Sequence, residues 1–169
     1  MNERMALAER QLDRMQSFFP RIDAKITAVA AWLSVEIAVA GLNTKLSDLR
    51  AAYVWVPFVV FLITTGWSGS CVWRCLFPDR KGGQGSLIYF GSIANRTEGS
   101  FQSDFKAASD GQLLDDVLGQ VWRNAEIVCD KYIAVQSSIR WATVSLLSLI
   151  VTLVATSILH GALPSFPGG

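Results

Sequence analysis

The chain has 169 residues, a formal net charge of +1, 51% hydrophobic residues and a mean hydropathy of +0.33, with only 17% of its residues charged. That charge content is low for a soluble domain, and the balanced charge gives no reason to expect nucleic acid as a partner. The one histidine, His160, argues against a histidine-based metal site or a Ser-His-Asp triad, and Cys71, Cys75 and Cys129 provide no disulfide framework.

Residues 1–25 hold five basic side chains, Arg4, Arg10, Arg14, Arg21 and Lys25, with no apolar core among them, so no cleavable signal peptide is expected. Met5, Ala8, Leu12, Met15, Phe19, Ile22 and Ile26 recur at alternating spacings of three and four, a heptad seam on one helical face. A surface helix lying on a membrane is the competing reading. Pro20 should kink or restart this N-terminal amphipathic helix.

Residues 26–42 are apolar and Ala-rich, at the short limit for a membrane span. They enclose Glu36, whose charge in hydrocarbon costs at least about 2.5 kcal/mol on insertion scales. Two roles fit it. One is a structural carboxyl, protonated or hydrogen-bonded to Thr64, Thr65, Ser148 or Thr152; the other is a polar lining exposed when the bundle rearranges. Residues 43–50 form a short hydrophilic turn.

Residues 51–73 then give 23 uncharged residues, roughly 35 Å of helix against a hydrocarbon core of about 30 Å. Tyr53 and Trp55 near one end, and Trp73 and Arg74 at the other, suit interfacial anchors. Cys71 and Cys75 form a CxxxC, which reads as two small residues on one helical face rather than a metal site. Gly66-Trp67-Ser68-Gly69 lacks the GxSxG spacing and would lie in lipid, so no enzyme is expected.

Residues 74–140 form the one sizeable hydrophilic region, with eight of the fifteen basic residues. A glycine-rich loop opens it at Pro78–Gly85, without the spacing of a P-loop. Residues 87–90 are apolar and aromatic, strand-like or an interfacial turn. Phe101–Ser109 reads as a short helix, and Ser109 with Gln112 forms a capping box for the next one. That helix carries a second seam through Leu114, Leu118, Val121, Ala125, Val128, Tyr132, Val135 and Ile139. Gly119 weakens it by about 1 kcal/mol relative to Ala. It runs without a stop signal into a third span at 141–160, followed by a tail at 161–169.

The four hydrophilic segments carry five, two, eight and no basic residues in chain order. The positive-inside rule then places the N-terminus and the 74–140 region in the cytoplasm, with the turn and C-terminus outside. The expected architecture is an all-α membrane protein: three transmembrane helices and a cytoplasmic helical stalk, assembled within one chain or between chains, with a homo-oligomer held by the second seam as the expected form.

Several short motifs carry a family resemblance over roughly residues 12–158. Asp23-Ala24-Lys25 opens the first span. Tyr89-Phe90-Gly91-Ser92-Ile93-Ala94 lies in the hydrophilic region, and Asp116, Gln120 and Lys131-Tyr132 follow along the seamed helix. In this order the chain resembles the transmembrane effector of Pycsar, the bacterial pyrimidine cyclase system for antiphage resistance. One position departs from the pattern: Ser92 stands where an acidic residue usually follows the glycine.

The resemblance implies an inner-membrane effector that senses a cyclic pyrimidine nucleotide, cyclic CMP or cyclic UMP, made by a separate cyclase on infection. It would then impair the membrane and cause abortive infection. Such a ligand needs cations or amide donors for its phosphate and a flat surface for its base. Arg80, Lys81, Arg96, Lys131, Tyr89, Phe90 and Tyr132 are the candidates. For Arg80 and Lys81 the competing reading is membrane anchoring. For Tyr89 and Phe90 it is packing against the stalk or the membrane surface, and for Lys131 a solvated face. Two other functions compete: a membrane-anchored helical module that recruits a partner without forming a lesion, and a two-span effector gated by a cyclic oligonucleotide.

Overall fold

The structure, a computed structural model, describes residues 2–78, 85–161 and 164. Helix α1 (Asn2–Gln16) and helix α2 (Phe18–Asn43) are separated at Ser17. The Ser17 amide still donates to the Asp13 carbonyl and its hydroxyl to that of Arg14, so the break is one residue wide. Pro20 sits in the first turn of α2, where its missing N–H has no helical acceptor to lose. This is the expected restart. The N-terminal seam faces inward: Ala8, Ile22 and Ile26 are buried, and Met5, Leu12, Met15 and Phe19 half-buried.

A turn ending in a single 3-10 helix, Asp48–Arg50, leads to helix α3 (Ala52–Leu76). After residues 79–84, which lie outside the described set, come helix α4 (Phe90–Ala94), helix α5 (Glu98–Ala107) and helix α6 (Asp110–His160). No strand forms among the described residues. The strand-like option at 87–90 is corrected: Leu87 and Ile88 bend, and Phe90 already begins α4. Two backbone amides of this stretch, those of Ile88 and Tyr89, are taken by the Ser86 hydroxyl, which leaves them unavailable to a ladder.

Helix α5 starts three residues earlier than expected because Thr97 caps it, its hydroxyl accepting from the Ser100 amide. The capping box forms as expected. The Ser109 amide donates to Gln112 Oε1 at 2.8 Å, and the Gln112 amide to Ser109 Oγ at 3.3 Å. From that cap α6 runs for 51 residues without a break, stalk seam and third span together.

The chain divides into two compact units. One, here the polar unit, comprises residues 1–22 and 78–131; the other, the spanning unit, residues 23–77 and 132–169. Three helices are long and apolar enough to cross a membrane. In the spanning unit the apolar side chains Ile37, Ile63, Leu147, Val151, Val154 and Ile158 are exposed, whereas Ser68, Ser138, Ser145 and Thr152 are buried. A water-soluble bundle has the reverse arrangement. The inversion suits lipid, which solvates Leu and Ile but leaves every hydroxyl to find a partner inside. Ser68 Oγ donates to the Ser138 carbonyl at 2.9 Å, and the two hydroxyls lie 3.0 Å apart, fixing α3 against α6. Trp67 and Trp141 pack beside them with ring centroids 5.9 Å apart. Cys71 and Cys75 are buried together on one face of α3. The fold is that of an all-α membrane protein.

At the far end of the unit, Asp48 is buried. Its carboxylate accepts from the Lys45 amide at 2.9 Å and lies 3.0 Å from His160 Nε2, at the end of α6. The Lys45 N–H first, and then His160, hold the Asp48 carboxyl below its ordinary range.

Candidate functional site

Within the polar unit, one open cleft of about 510 Å³ lies among residues 85–87, the end of α5 and the start of α6. Its size falls in the range of small-molecule sites. Arg96 closes one side. Its Nη1 bonds Asp104 Oδ2 at 2.7 Å, and its Nη2 donates to the Gly85 carbonyl at 2.6 Å. Gly85 has φ +84°, a conformation that disfavours any side chain. Gln112 and Asp116, from the first two turns of α6, form the opposite wall.

Two of the motif residues hold this loop. Asp116 Oδ2 accepts from the Leu87 amide at 2.7 Å. Gln120, one turn further along α6, reaches the Ser86 hydroxyl at 3.4 Å, and both Gln120 and Ser86 are buried. An α6 carboxylate thus satisfies one loop amide, the Ser86 hydroxyl takes two more, and Arg96 takes the Gly85 carbonyl. The aromatic–glycine motif has a steric reason. The Tyr89 ring lies over Gly91, where a Cβ would come within 2.6 Å of Tyr89 Cε1. Tyr89 and Phe90 also touch one another, with ring centroids 4.8 Å apart; Tyr89 is half-buried and Phe90 exposed.

The other motif residues fasten helices. In the polar unit, Lys131 is buried and its Nζ stands 5.7 Å from the Phe19 ring centroid. The solvated face considered for Lys131 is thus corrected: its stem packs on α2 while the ammonium meets a ring face. In the spanning unit, Lys25 Nζ donates to the Tyr132 hydroxyl at 3.3 Å and lies 5.1 Å from that ring's centroid.

The candidates described within the polar unit do not gather at one place. Arg96 lines the cleft, and Tyr89 and Phe90 stand at the start of α4. Lys131 is fifteen residues beyond Asp116, about 22 Å along a helix. Tyr132 belongs to the spanning unit. Arg80 and Lys81 fall outside the described residues. Among the described residues the cleft offers one guanidinium, already paired, with two carboxylates and an amide. That set suits hydrogen-bond donors such as sugar hydroxyls or base amines, and it provides one cation for a phosphate. Gln112 and Asp104 were not among the sequence candidates. Gln112 stood out for its cap, but nothing in the sequence tied either residue to a cleft.

The second seam is only partly covered within one chain. Val135 is buried, Leu114, Val121, Ala125 and Val128 are half-buried, and Leu118, Tyr132 and Ile139 are exposed. The face that α6 buries lies one position away, at Val117, Gln120, Lys131 and Ser138.

Glu36 is 3% exposed in the spanning unit. Its partner is Ser145, whose Oγ lies 2.5 Å from Glu36 Oε2. The four partners expected from sequence are not used. Thr64, Ser148 and Thr152 turn their hydroxyls onto carbonyls of their own helices, and Thr65 Oγ1 makes no hydrogen bond.

Neither the curated proteins nor the solved structures include a match to this chain. A family model does match it: PycTM, described as the Pycsar effector protein domain, aligns with residues 7–159, nearly the whole chain and every motif described above. With three membrane-spanning helices and that match, the chain belongs to the PycTM family of Pycsar effectors, which act in antiphage defence.

Proposed function

We propose that this effector senses a cyclic pyrimidine nucleotide, made by a separate pyrimidine cyclase on infection, and then impairs the inner membrane so that the infected cell dies. The chain does no chemistry on the messenger in this reading; the nucleotide is an activating ligand. The observation that carries it is the placement of the cleft on α6. Gln112 and Asp116 line the cleft, and the same helix continues unbroken through the third span. A ligand that repositions the first turns of α6 acts on a membrane helix without any intervening joint. The basic-residue counts support an N-terminus and a polar unit in the cytoplasm, where the messenger is made, and a C-terminus in the periplasm.

Titration of detergent-purified protein with cyclic CMP, cyclic UMP and their purine counterparts tests the sensing step. One pyrimidine should bind at least about tenfold more tightly than the purines, a difference of about 1.4 kcal/mol. Gln112→Ala should weaken that binding. Equal binding of all four, or none, overturns the assignment. One observation favours the partner-recruiting module instead: Leu118 and Trp122 remain exposed on α6. Cells that keep their membrane potential while nucleotide binds would decide for it.

A further inference from the structure

The spanning unit contains a polar constellation that the cleft does not use. Glu36 Oε1 is buried and has no hydrogen-bond partner. Trp32 lies one turn earlier on α2. On the other side, Ser145 Oγ lies 2.5 Å from Glu36 Oε2 and 2.9 Å from the Ala142 carbonyl. Ser145 has one proton and two acceptors. Its hydroxyl can donate to only one of them at a time; a proton carried by Glu36 would satisfy both contacts, with Glu36 donating to Ser145 and Ser145 to Ala142.

The surroundings differ on the two sides of this pair. Toward the N-terminal end of α6 they are polar. Ser138 precedes Ser145 by seven residues, two turns or about 10.5 Å, and is joined to Ser68 of α3. Thr65, one turn from Ser68, keeps its buried hydroxyl unbonded. Toward the C-terminal end the buried hydroxyls of Thr64, Thr152 and Thr156 are turned onto carbonyls of their own helices, and the packing between helices is apolar. Val39, Ala40, Phe61, Leu149 and Leu153 form one buried cluster, with Phe61 only 1% exposed. Hydrophobic constrictions can close a pore by excluding water, and the carboxyl stands between the cross-helix hydroxyls and this apolar cluster.

We propose that Glu36 and Ser145 form a cation site in the spanning unit, occupied by a proton while the bundle is closed, and that the cluster around Phe61 is the gate on its path. When the cluster parts, water reaches Glu36, which ionises and selects small monovalent cations over anions. This rests on the proposal that the effector impairs the membrane, and it specifies what crosses.

Full-length protein in planar bilayers under a potassium chloride gradient tests it. Phe61→Ala removes the plug and makes the path readable without nucleotide. It should pass current that reverses near the potassium equilibrium potential. Adding Glu36→Gln should lower the cation-to-anion permeability ratio at least about tenfold, and Glu36→Asp should restore it. Equal reversal potentials for Phe61→Ala with and without Glu36→Gln overturn the site, as does the absence of current from Phe61→Ala. Cation-selective current from Phe61→Ala, with wild type silent toward cyclic pyrimidines, upholds the site and overturns the sensing proposal. A nucleotide-opened wild type that passes both ions equally does the reverse. Independently of any variant, dicyclohexylcarbodiimide, which attacks protonated carboxyls in apolar surroundings, should add its mass to the Glu36 peptide of wild-type protein; an unmodified peptide overturns the protonated site.

Discussion

The two units bury polar groups for different reasons. In the spanning unit the solvent of the exterior is hydrocarbon, so Ile63, Val151 and Ile158 lose nothing by facing out, and the interior receives the hydroxyls. There Ser68, Ser138 and Ser145 fix helix against helix, and burying apolar surface supplies little between helices that lipid solvates equally well. The polar unit has a small core, with Ala8, Ile22 and Val117 among its buried apolar residues. It makes up the difference with side chains that satisfy backbone: Asp116 on the Leu87 amide, Ser86 on two further amides, and Arg96 on the Gly85 carbonyl. It still leaves Leu118, Trp122, Phe90 and Phe105 exposed. An exposed Ile on a lipid-facing helix needs no explanation, whereas an exposed Trp122 outside the spans does.

The sharpest way to break that contrast is to charge the uncovered seam. Leu118 is exposed and Val121 half-buried, so Leu118→Asp with Val121→Asp should leave helix content unchanged by circular dichroism. If the seam joins copies, crosslinked oligomers should shift to monomer and toxicity should be lost, because a long amphipathic helix needs a partner for its apolar face. Unchanged crosslinking and toxicity would mean that the seam has no partner chain.

Removing a loop fastener should come next in size. Asp116→Ala leaves the Leu87 amide without its acceptor, at a cost of about 1–3 kcal/mol. Hydrogen exchange should show the 85–89 loop opening, with no change at Ser138–Thr152. Exchange that rises equally in both regions would show that the two units are not separate in stability.

Gly91→Ala should be milder, of order 1 kcal/mol, because the Tyr89 ring can swing away from the new Cβ. Altered Tyr89 fluorescence with a small loss in melting temperature is the expected pair of readings. An unchanged melting temperature would show that the ring stacks on glycine by default rather than by need.

The smallest effect belongs to the Asp48–His160 pair. The folded Asp48 carboxyl is held below its ordinary range, so the stability it adds is present above the unfolded-state pKa and fades as pH falls through the lowered folded value. Asp48→Asn should therefore melt below wild type at neutral pH in detergent, and the gap should close on acidification into the carboxylate range. A gap that persists in acid would assign the pair to shape rather than charge.

Much of the architecture was legible in composition and spacing. Uncharged runs of membrane length, the alternating three-four spacings, Pro20 and the Ser109–Gln112 box each act over one helical turn or a few. The structure shows a helix restart with Pro20 in its first turn, a capped α6 and three helices long and apolar enough to span a membrane. The resemblance found in the motif order is the family that the full-length comparison gives.

What tertiary structure alone decided is which side chain meets which. Glu36 and Ser145 are 109 residues apart, Ser68 and Ser138 seventy, and Leu87 and Asp116 twenty-nine. Sequence showed that a carboxyl in an apolar helix needs a hydroxyl partner. It could not choose Ser145 over Thr64 or Thr152, since that choice depends on the rotation and register of two helices. Likewise Lys131 looked solvated because it lies off the heptad seam, and it is buried because the face α6 presents to α2 is offset from that seam. Hydrophobic period fixes that a helix has an inner face; the packing angle of its neighbours fixes which residues are on it.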